Sequence, residues 1–304
     1  MNLILGSGII GYLAKHILGS EWEWIPFKKS RYFTFEIPYA DNFVAFDDQI
    51  DPIMLEMSPK NKTKIFMKRA FSLSGQLMYQ ESSLTIDTYL QKVYGDQIPS
   101  LAQQLIKTNL TTYPMTAKQL HDKLYEIYLN QVNTYSEKYG TLSKIDLKLH
   151  KIYTSIGEFG YDKIVSTIPL DALVDYCGLK MNLPSKAVCY YLIKSGNINL
   201  EGADQALICD SVIDFFKVQK IDDYHQFWSF DIINMPYQYF GSIIGYDFDL
   251  LEAKRIDNVI PLGEPPNLEL IEKHGVFCVG SNAQWDDFVG ITTAVKRLFR
   301  IKSS

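Results

Sequence analysis

The sequence predicts an α/β protein in which one parallel-sheet domain is assembled from three separated segments of the chain. Three observations carry this prediction. A strand, a glycine-rich turn and a helix open the chain, a strongly β-forming run occupies 163–168, and a strand, a loop and a helix occupy 275–301. Strands and helices that alternate in this way form a parallel sheet covered by helices.

The opening unit is the most informative part of the chain. Residues 1–11 read MNLILGSGIIG, an apolar strand that runs into three glycines at the G-x-G-x-x-G spacing. The first glycine of such a unit permits the turn, the second lets a pyrophosphate approach the backbone, and the third lets helix and strand pack closely. The helix N-terminus then offers N–H groups to the phosphates. A glycine turn that serves packing alone is the alternative. The predicted phosphate-binding residues are Gly6, Ser7, Gly8, Ile9, Ile10 and Gly11.

Changes of pattern along the chain set the predicted domain boundaries. Apolar residues recur at helical spacing between 99 and 139, and short β-like runs recur between 187 and 248. We therefore expect a discontinuous Rossmann-like domain with a helical insertion and a β-rich lobe. The predicted segments are 1–57, 141–180 and 255–304 for the Rossmann-like domain, 58–140 for the insertion and 181–254 for the lobe.

Composition limits the class of protein. The 304 residues are 47% hydrophobic and 21% charged, which is typical of a globular chain. The net charge of −5 argues against a broadly basic nucleic-acid surface. No apolar run approaches the roughly 20 residues that span a bilayer, and the N-terminus lacks the basic region and cleavage site of a signal peptide. These features predict a cytoplasmic protein that has no membrane partner.

The cysteines and histidines carry no site signature. The four cysteines are scattered without a C-x-x-C pair, so we expect reduced core residues. The five histidines show no metal-ligand spacing, so no metal site is predicted.

Two further segments resemble a known family. Residues 161–170 read YDKIVSTIPL, and residues 274–285 read HGVFCVGSNAQW, followed by Gly290 and Ala294. Together with the glycine turn, in this order and spacing, they resemble the FAD-binding fold of the flavin amine oxidases and UDP-galactopyranose mutases. The resemblance covers about a third of the chain and implies FAD as the cofactor.

The same resemblance implies positions for the cofactor. The glycine turn would face the FAD pyrophosphate, and the N-terminus of the last helix would point at the pyrimidine end of the flavin, where its dipole stabilises negative charge. Further cofactor-binding residues implied by the resemblance are Thr167, Ile168, Pro169, Gly280, Ser281, Asn282, Trp285, Gly290 and Ile291.

The chain departs from the family in two places. The family ends its second strand with an acidic residue for the adenosine ribose, whereas Phe27-Lys28-Lys29 stands here. Lys28 could instead meet a ribose 2′-phosphate, which would favour NADP, or lie in a solvated basic loop. Only five arginines are present, and we predict Arg31 and Arg69 as substrate-binding residues. A true galactopyranose mutase is therefore disfavoured.

Catalytic candidates come from position alone. Asp286 follows Trp285 beside the implied flavin, where a carboxylate could act as general base or hold a cationic amine. His225 and Tyr239 are predicted catalytic residues of the β-rich lobe, and Trp228 and Tyr237 are predicted to bind substrate. Aromatic residues at a flavin suit an amine or a nucleobase. A packed sheet core with one satisfied histidine is the alternative.

These observations predict an FAD-dependent oxidoreductase of the amine-oxidase or mutase-like clan. It would act on a C–N or C–C bond of a small or nucleotide-linked substrate. The short chain suggests an open cleft, as in phage-type enzymes that remodel modified thymidine, although the charge does not imply DNA as a partner. The alternative is a non-catalytic FAD- or NADP-binding sensor or scaffold. The oligomeric state is left open.

Overall fold

The structure is a computed structural model that describes residues 1–26, 43–45, 51–57, 65–73, 76–78, 82–106, 108–221, 223–286 and 290–303. The chain divides into two units. The first comprises Met1–Thr63, Tyr113–Leu183 and Pro265–Ser304, and the second comprises Lys64–Thr112 and Pro184–Glu264. None of the described helices is both long enough and apolar enough to span a bilayer.

The elements follow one another along the described chain. They begin with β1 (Asn2–Leu5), α1 (Ile9–Leu18), β2 (Trp22–Ile25), β3 (Phe43–Ala45), α2 (Asp51–Met57), β4 (Ile65–Leu73), β5 (Gln76–Met78), α3 (Ser83–Tyr94), α4 (Ala102–Leu105), β6 (Asn109–Thr116) and α5 (Ala117–Tyr139). They continue with β7 (Leu142–Asp146), β8 (Lys151–Thr154), β9 (Glu158–Gly160), β10 (Lys163–Ser166), α6 (Leu170–Tyr176), β11 (Ser185–Lys194), β12 (Gln205–Ile208), β13 (Phe215–Ile221), β14 (Tyr224–Ser229), α7 (Pro236–Ile244), β15 (Asp249–Pro261), α8 (Glu269–Glu272), β16 (Val276–Cys278), α9 (Ser281–Gln284) and α10 (Ile291–Ser303).

The first unit is built on a four-stranded parallel sheet in the order β16-β10-β1-β2. Its central strand β1 is apolar on both faces, as a parallel strand covered on both sides must be. Ile4 packs with α1, α5 and α10 on one face, and Leu3 and Leu5 pack with α6, α9 and the antiparallel meander β7-β8-β9 on the other. This sandwich holds the carboxyl ends of β1, β10 and β16 at one edge of the sheet.

The second unit is built on a mixed sheet in which the strands of the unit follow the order β15-β11-β14-β13-β12-β4-β6. Helix α7 covers one face through Phe240, which is fully buried against Phe215 and Phe227. The core of this unit is therefore separate from the two cores of the first unit.

Two predictions of local structure are corrected here. Segment 58–140, expected to be helical, contains strands β4, β5 and β6 as well as three helices. Strand β4 pairs in parallel with β12, so its partner lies more than 130 residues away, and no local pattern could reveal it. The β-rich part also continues past 254, because β15 runs to Pro261. The binding roles of these segments stay predictions.

The fold class is confirmed. The described residues form a Rossmann-like parallel sheet assembled from segments of the chain that are far apart in sequence, together with a β-rich unit.

Candidate functional site

The glycine turn after β1 is fixed by conformation and by contact. Gly6 has φ +111°, in the region that side chains rarely adopt, and a Cβ there would lie 2.4 Å from Thr167 Oγ1. The Gly6 N–H donates to the Ile25 carbonyl at 3.1 Å, and its carbonyl accepts from the buried Trp24 Nε1 at 2.7 Å. The turn is thus held by β2 and β10, the two neighbours of β1.

Helix α1 starts directly behind this turn and offers free backbone donors. Its N-cap is Gly8, which has no side chain, and the first helical bond is donated by the Tyr12 N–H to the Gly8 carbonyl at 3.0 Å. No acidic residue stands in its first turn. The amides of residues 9–11 therefore have no intrahelical partner, which is the condition for an anion site at a helix N-terminus.

Gly11 brings helix and turn together. A Cβ at Gly11 would lie 2.4 Å from the Gly6 carbonyl oxygen and 3.2 Å from Thr167 Oγ1. Only a glycine lets α1 pack this closely against the backbone of the turn. Two of the three glycines therefore have the structural roles expected from the spacing.

The segment after β10 supports the turn from the other side. Both the N–H and the Oγ1 of Thr167 donate to the Leu5 carbonyl at 2.9 Å. Ile168 is buried, and Pro169 is the N-cap of α6. The structure therefore brings the predicted residues of this segment to the glycine turn.

The loop after β16 reaches the same place from the far end of the chain. Gly280 has φ +106°, and a Cβ there would lie 3.2 Å from Ile10 Cγ1 in the first turn of α1. Ser281 and Asn282 follow in α9, and α10 begins at Ile291 after Gly290. Residues that are 270 positions apart in sequence therefore meet at one edge of the sheet.

Trp285 is a core residue of this loop. It has φ +54° and is 3% exposed, packed in the apolar cluster that contains Leu5 and Ile168. Its indole thus anchors the loop in the first unit. The role of Trp285 in binding the cofactor stays a prediction.

Asp286 lies in a different environment from the turn. Its N–H donates to the Ser281 carbonyl at 3.0 Å, and it borders a shallow cavity of about 310 Å³. The same cavity is bordered by Gln284 and by the ion pair between Arg297 and Glu272. Asp286 thus shares this cavity with charged residues of α8 and α10, and its catalytic role stays a prediction.

Two predicted residues, Lys28 and Arg31, lie outside the described residues. The acid on β2, Glu23, accepts hydrogen bonds from Lys138 Nζ at 2.8 Å and from the Tyr139 hydroxyl at 3.0 Å. Its carboxylate is therefore engaged by two side chains of the first unit.

The sheet of the second unit separates Trp228 and Arg69 from the other predicted site residues of this unit. His225 shares a face with Phe227, whereas Trp228 points to the opposite face, because successive side chains of β14 alternate. Arg69 lies on the Trp228 face. Tyr239 contacts Phe215 and Phe240 in the α7 core, and Tyr237 lies half-exposed on the same helix. The predicted aromatic cluster is therefore not one group.

His225 is buried in the sheet of the second unit. It is 4% exposed, and neither ring nitrogen has a hydrogen-bond partner among the described residues. Burial, aided by the charge of Lys220, lowers the pKa of His225 to about 4. The ring is therefore neutral at pH 7, which is the behaviour of a core histidine. Tyr239 in turn uses its hydroxyl to accept the Asp214 N–H at 2.9 Å.

Sequence reasoning missed a set of polar residues on the Trp228 face of this sheet. They are Gln205, Gln219, Gln226 and Lys217. The available signal was one glutamine in each of three short β-like runs, but only strand register shows that the three glutamines are neighbours.

The comparisons with known proteins support the fold. No protein-family model and no curated protein matches the sequence. Among solved structures, reduced UDP-galactopyranose mutase matches with a TM-score of 0.63 and 12% identity, covering 99% of this chain and 93% of that one. An oxidoreductase from Methanosarcina mazei matches with a TM-score of 0.62 and 11% identity over the whole of both chains. Putrescine oxidase bound to putrescine matches with a TM-score of 0.59 and 9% identity, covering 99% and 98%. At this identity the likeness shows the fold.

Proposed function

We propose that the chain is an FAD-dependent oxidoreductase or mutase-like enzyme whose cofactor pyrophosphate lies at the N-terminus of α1. The observation that carries this proposal is the glycine turn. A strand, a positive-φ glycine and a helix without a side-chain cap leave three backbone amides free to meet an anion. The solved structures of similar fold include a mutase and two oxidoreductases, which favours the same class here.

The residues present fit the group. Gly6, Gly8 and Gly11 would hold the pyrophosphate, Thr167 fixes the turn through Leu5, and Gly280 brings the last segment to Ile10. When bound, FAD supplies two-electron redox chemistry. The chain contributes position and electrostatics. In particular, the N-terminus of α10 carries a partial positive charge that stabilises negative charge placed near it.

The substrate class belongs to the same proposal. A small or nucleotide-linked molecule that reacts at a C–N or C–C bond is consistent with the structural neighbours, which include UDP-galactopyranose mutase and putrescine oxidase. Thymidine-derived bases in DNA are one class to include in a substrate screen, and none of the described residues favours them.

Anaerobic bleaching of bound flavin by a panel of amines and nucleosides tests whether the protein is an enzyme. A flavin that no compound reduces would favour the alternative, a non-catalytic sensor or scaffold.

Gly8→Val tests the placement of the cofactor. A branched side chain at the N-cap would occupy the position of the pyrophosphate, so we expect the purified variant to lose the visible flavin absorbance of the wild type. Gly157→Val is the matched control, because a Cβ at Gly157 has no neighbour within 4 Å. Full flavin content in the Gly8 variant would refute the placement, as would equal loss in both variants.

A further inference from the structure

Within the first unit, three ring side chains lead from the glycine turn to the surface. Trp24 on β2 is fully buried, and its Nε1 donates to the Gly6 carbonyl at 2.7 Å. The centre of the Trp24 ring lies 6.1 Å from that of Tyr128 on α5. Tyr128 in turn contacts His16 on α1, whose side chain is 25% exposed. We call Trp24, Tyr128 and His16 the aromatic row.

The hydroxyl of Tyr128 meets a base at the outer end of the aromatic row. The Tyr128 oxygen lies 3.0 Å from His16 Nδ1, and His16 Nε2 lies 3.4 Å from the Glu56 carboxylate. Because a carboxylate only accepts, we assign the proton of the neutral imidazole to Nε2. Nδ1 is then the acceptor for the Tyr128 hydroxyl. The phenolic proton therefore has a base within hydrogen-bond reach.

This hydrogen bond bears on the redox chemistry of Tyr128. A tyrosine ring gives up an electron readily only when its hydroxyl can lose the proton in the same step. Burial, aided by the charge of Glu56, raises the pKa of Tyr128, so the phenol does not ionise on its own at pH 7. The imidazole of His16 therefore decides whether Tyr128 can be oxidised.

Tyr135 is a second tyrosine of α5 beside Trp24 and shows what Tyr128 has in addition. Its ring centre lies 6.5 Å from that of Trp24, close to the distance for Tyr128. The Tyr135 hydroxyl accepts from Lys15 Nζ at 3.4 Å, and an ammonium group donates protons and cannot take one. Of these two tyrosines, the described contacts therefore give a base only to Tyr128.

We propose that the aromatic row carries one-electron oxidising equivalents from the glycine turn to the surface, with Tyr128 as its redox-active residue. The oxidant is an oxygen-derived radical, which takes an electron from the Trp24 indole. Tyr128 returns an electron to Trp24, and its O–H bond breaks as an N–H bond forms at His16 Nδ1. The activity protects the glycine turn from oxidation and needs no bound cofactor, so it goes beyond the proposed function.

A thiolate in solution resets the aromatic row. It gives one electron to the oxidised Tyr128 ring and leaves as a thiyl radical. His16 returns the proton to the phenol oxygen. The exposed part of the His16 side chain marks the place where this end of the row meets solvent.

Laser flash photolysis in the tryptophan absorption band tests the proposal on the purified full chain. Light ejects electrons from buried and exposed tryptophans alike, and dissolved oxygen captures them. All samples carry Trp228→Phe, because the Trp228 ring centre lies 6.0 Å from that of Tyr190 and would give a similar signal. We expect a phase in which the absorbance of the indolyl radical decays while that of the phenoxyl radical rises.

Three variants assign this phase to residues. Trp24→Phe and Tyr128→Phe should each lose it. Tyr135→Phe is the matched control, since it removes a hydroxyl from the same helix at a similar distance from Trp24, and it should keep the phase.

His16→Gln tests the proton transfer. Glutamine can accept a hydrogen bond but is not a base, so the phase should slow by about a hundredfold. The phase should also be slower in D₂O than in H₂O, which a purely structural role of His16 would not explain. Absence of the phase from the parent protein, its survival in Tyr128→Phe, its loss in Tyr135→Phe, or equal rates in H₂O and D₂O would each overturn the inference.

Flavin content, measured by absorbance in the same samples, separates this inference from the proposed function. Flavin-free protein that still shows the Tyr128-dependent phase would refute the proposed cofactor and support the aromatic row. Flavin-loaded protein without that phase would refute the role of the aromatic row alone.

Discussion

The two units carry their polar groups in different ways. At the glycine turn of the first unit, the groups that face the candidate cofactor site belong to the backbone, and the nearby side chains fix that backbone in place. In the sheet of the second unit, the buried polar groups belong to side chains of neighbouring strands, Gln205, Gln219 and Gln226. A backbone site tolerates no Cβ, because the chain itself must approach the ligand. Side chains on a sheet can be exchanged one at a time without a change of backbone conformation.

The largest expected effect comes from a substitution in the glycine turn of the first unit. Gly6→Ala combines an unfavourable φ with a Cβ 2.4 Å from Thr167 Oγ1, so we expect a loss of about 3–5 kcal/mol in the free energy of unfolding. Gly178→Ala is the matched control, because Gly178 has φ +63° and open space around its Cβ. It should lose only about 1 kcal/mol. Similar losses in urea unfolding of the two variants would show that contact with Thr167 does not matter.

The pH dependence of stability tests the burial of His225 in the second unit. The folded-state pKa of His225, about 4, lies below the 6.5 of an ordinary histidine. Between pH 6.5 and 4 the imidazole is protonated in the unfolded state but not in the folded state. The free energy of unfolding should therefore fall as the pH is lowered from 6.5 towards 4, and His225 should cause no further loss below pH 4. The full shift corresponds to about 3 kcal/mol. Urea unfolding of His225→Phe should show a flatter dependence over this range, and a curve parallel to that of the wild type would contradict the prediction.

The smallest expected effect concerns the support of the glycine turn. Trp24→Phe removes the Nε1 donor to the Gly6 carbonyl and leaves that buried acceptor unpaired, so we expect a loss of about 2 kcal/mol. Trp22→Phe makes the same change of volume on the same strand, without that hydrogen bond, and should cost about half as much. Thermal unfolding of both variants measures the difference. Equal losses would assign the effect to packing alone.

The sequence predicted the glycine turn well because its signal is local. Gly6, Gly8 and Gly11 stand within six residues, and the roles of Gly6 and Gly11 follow from backbone conformation and close packing. The meeting of Gly280 with Ile10 was expected only through resemblance to a family. No local pattern states that these two positions are neighbours.

The second unit was predicted less well because its contacts are non-local. Segment 58–140 was expected to be helical, yet β4 gains its strand conformation from pairing with β12. His225 and Trp228 were grouped by proximity in sequence, and the alternation along β14 separates them. The three neighbouring glutamines, Gln205, Gln219 and Gln226, were missed for the same reason, since they come from three strands whose register only the fold defines.

The central claim is that distant segments of this chain form one cradle for FAD. Mass spectrometry of the small molecules released from natively purified protein tests it most directly. We expect FAD at close to one molecule per chain. Release of NADP(H) in place of FAD, or failure of the protein to retain added FAD, would contradict it.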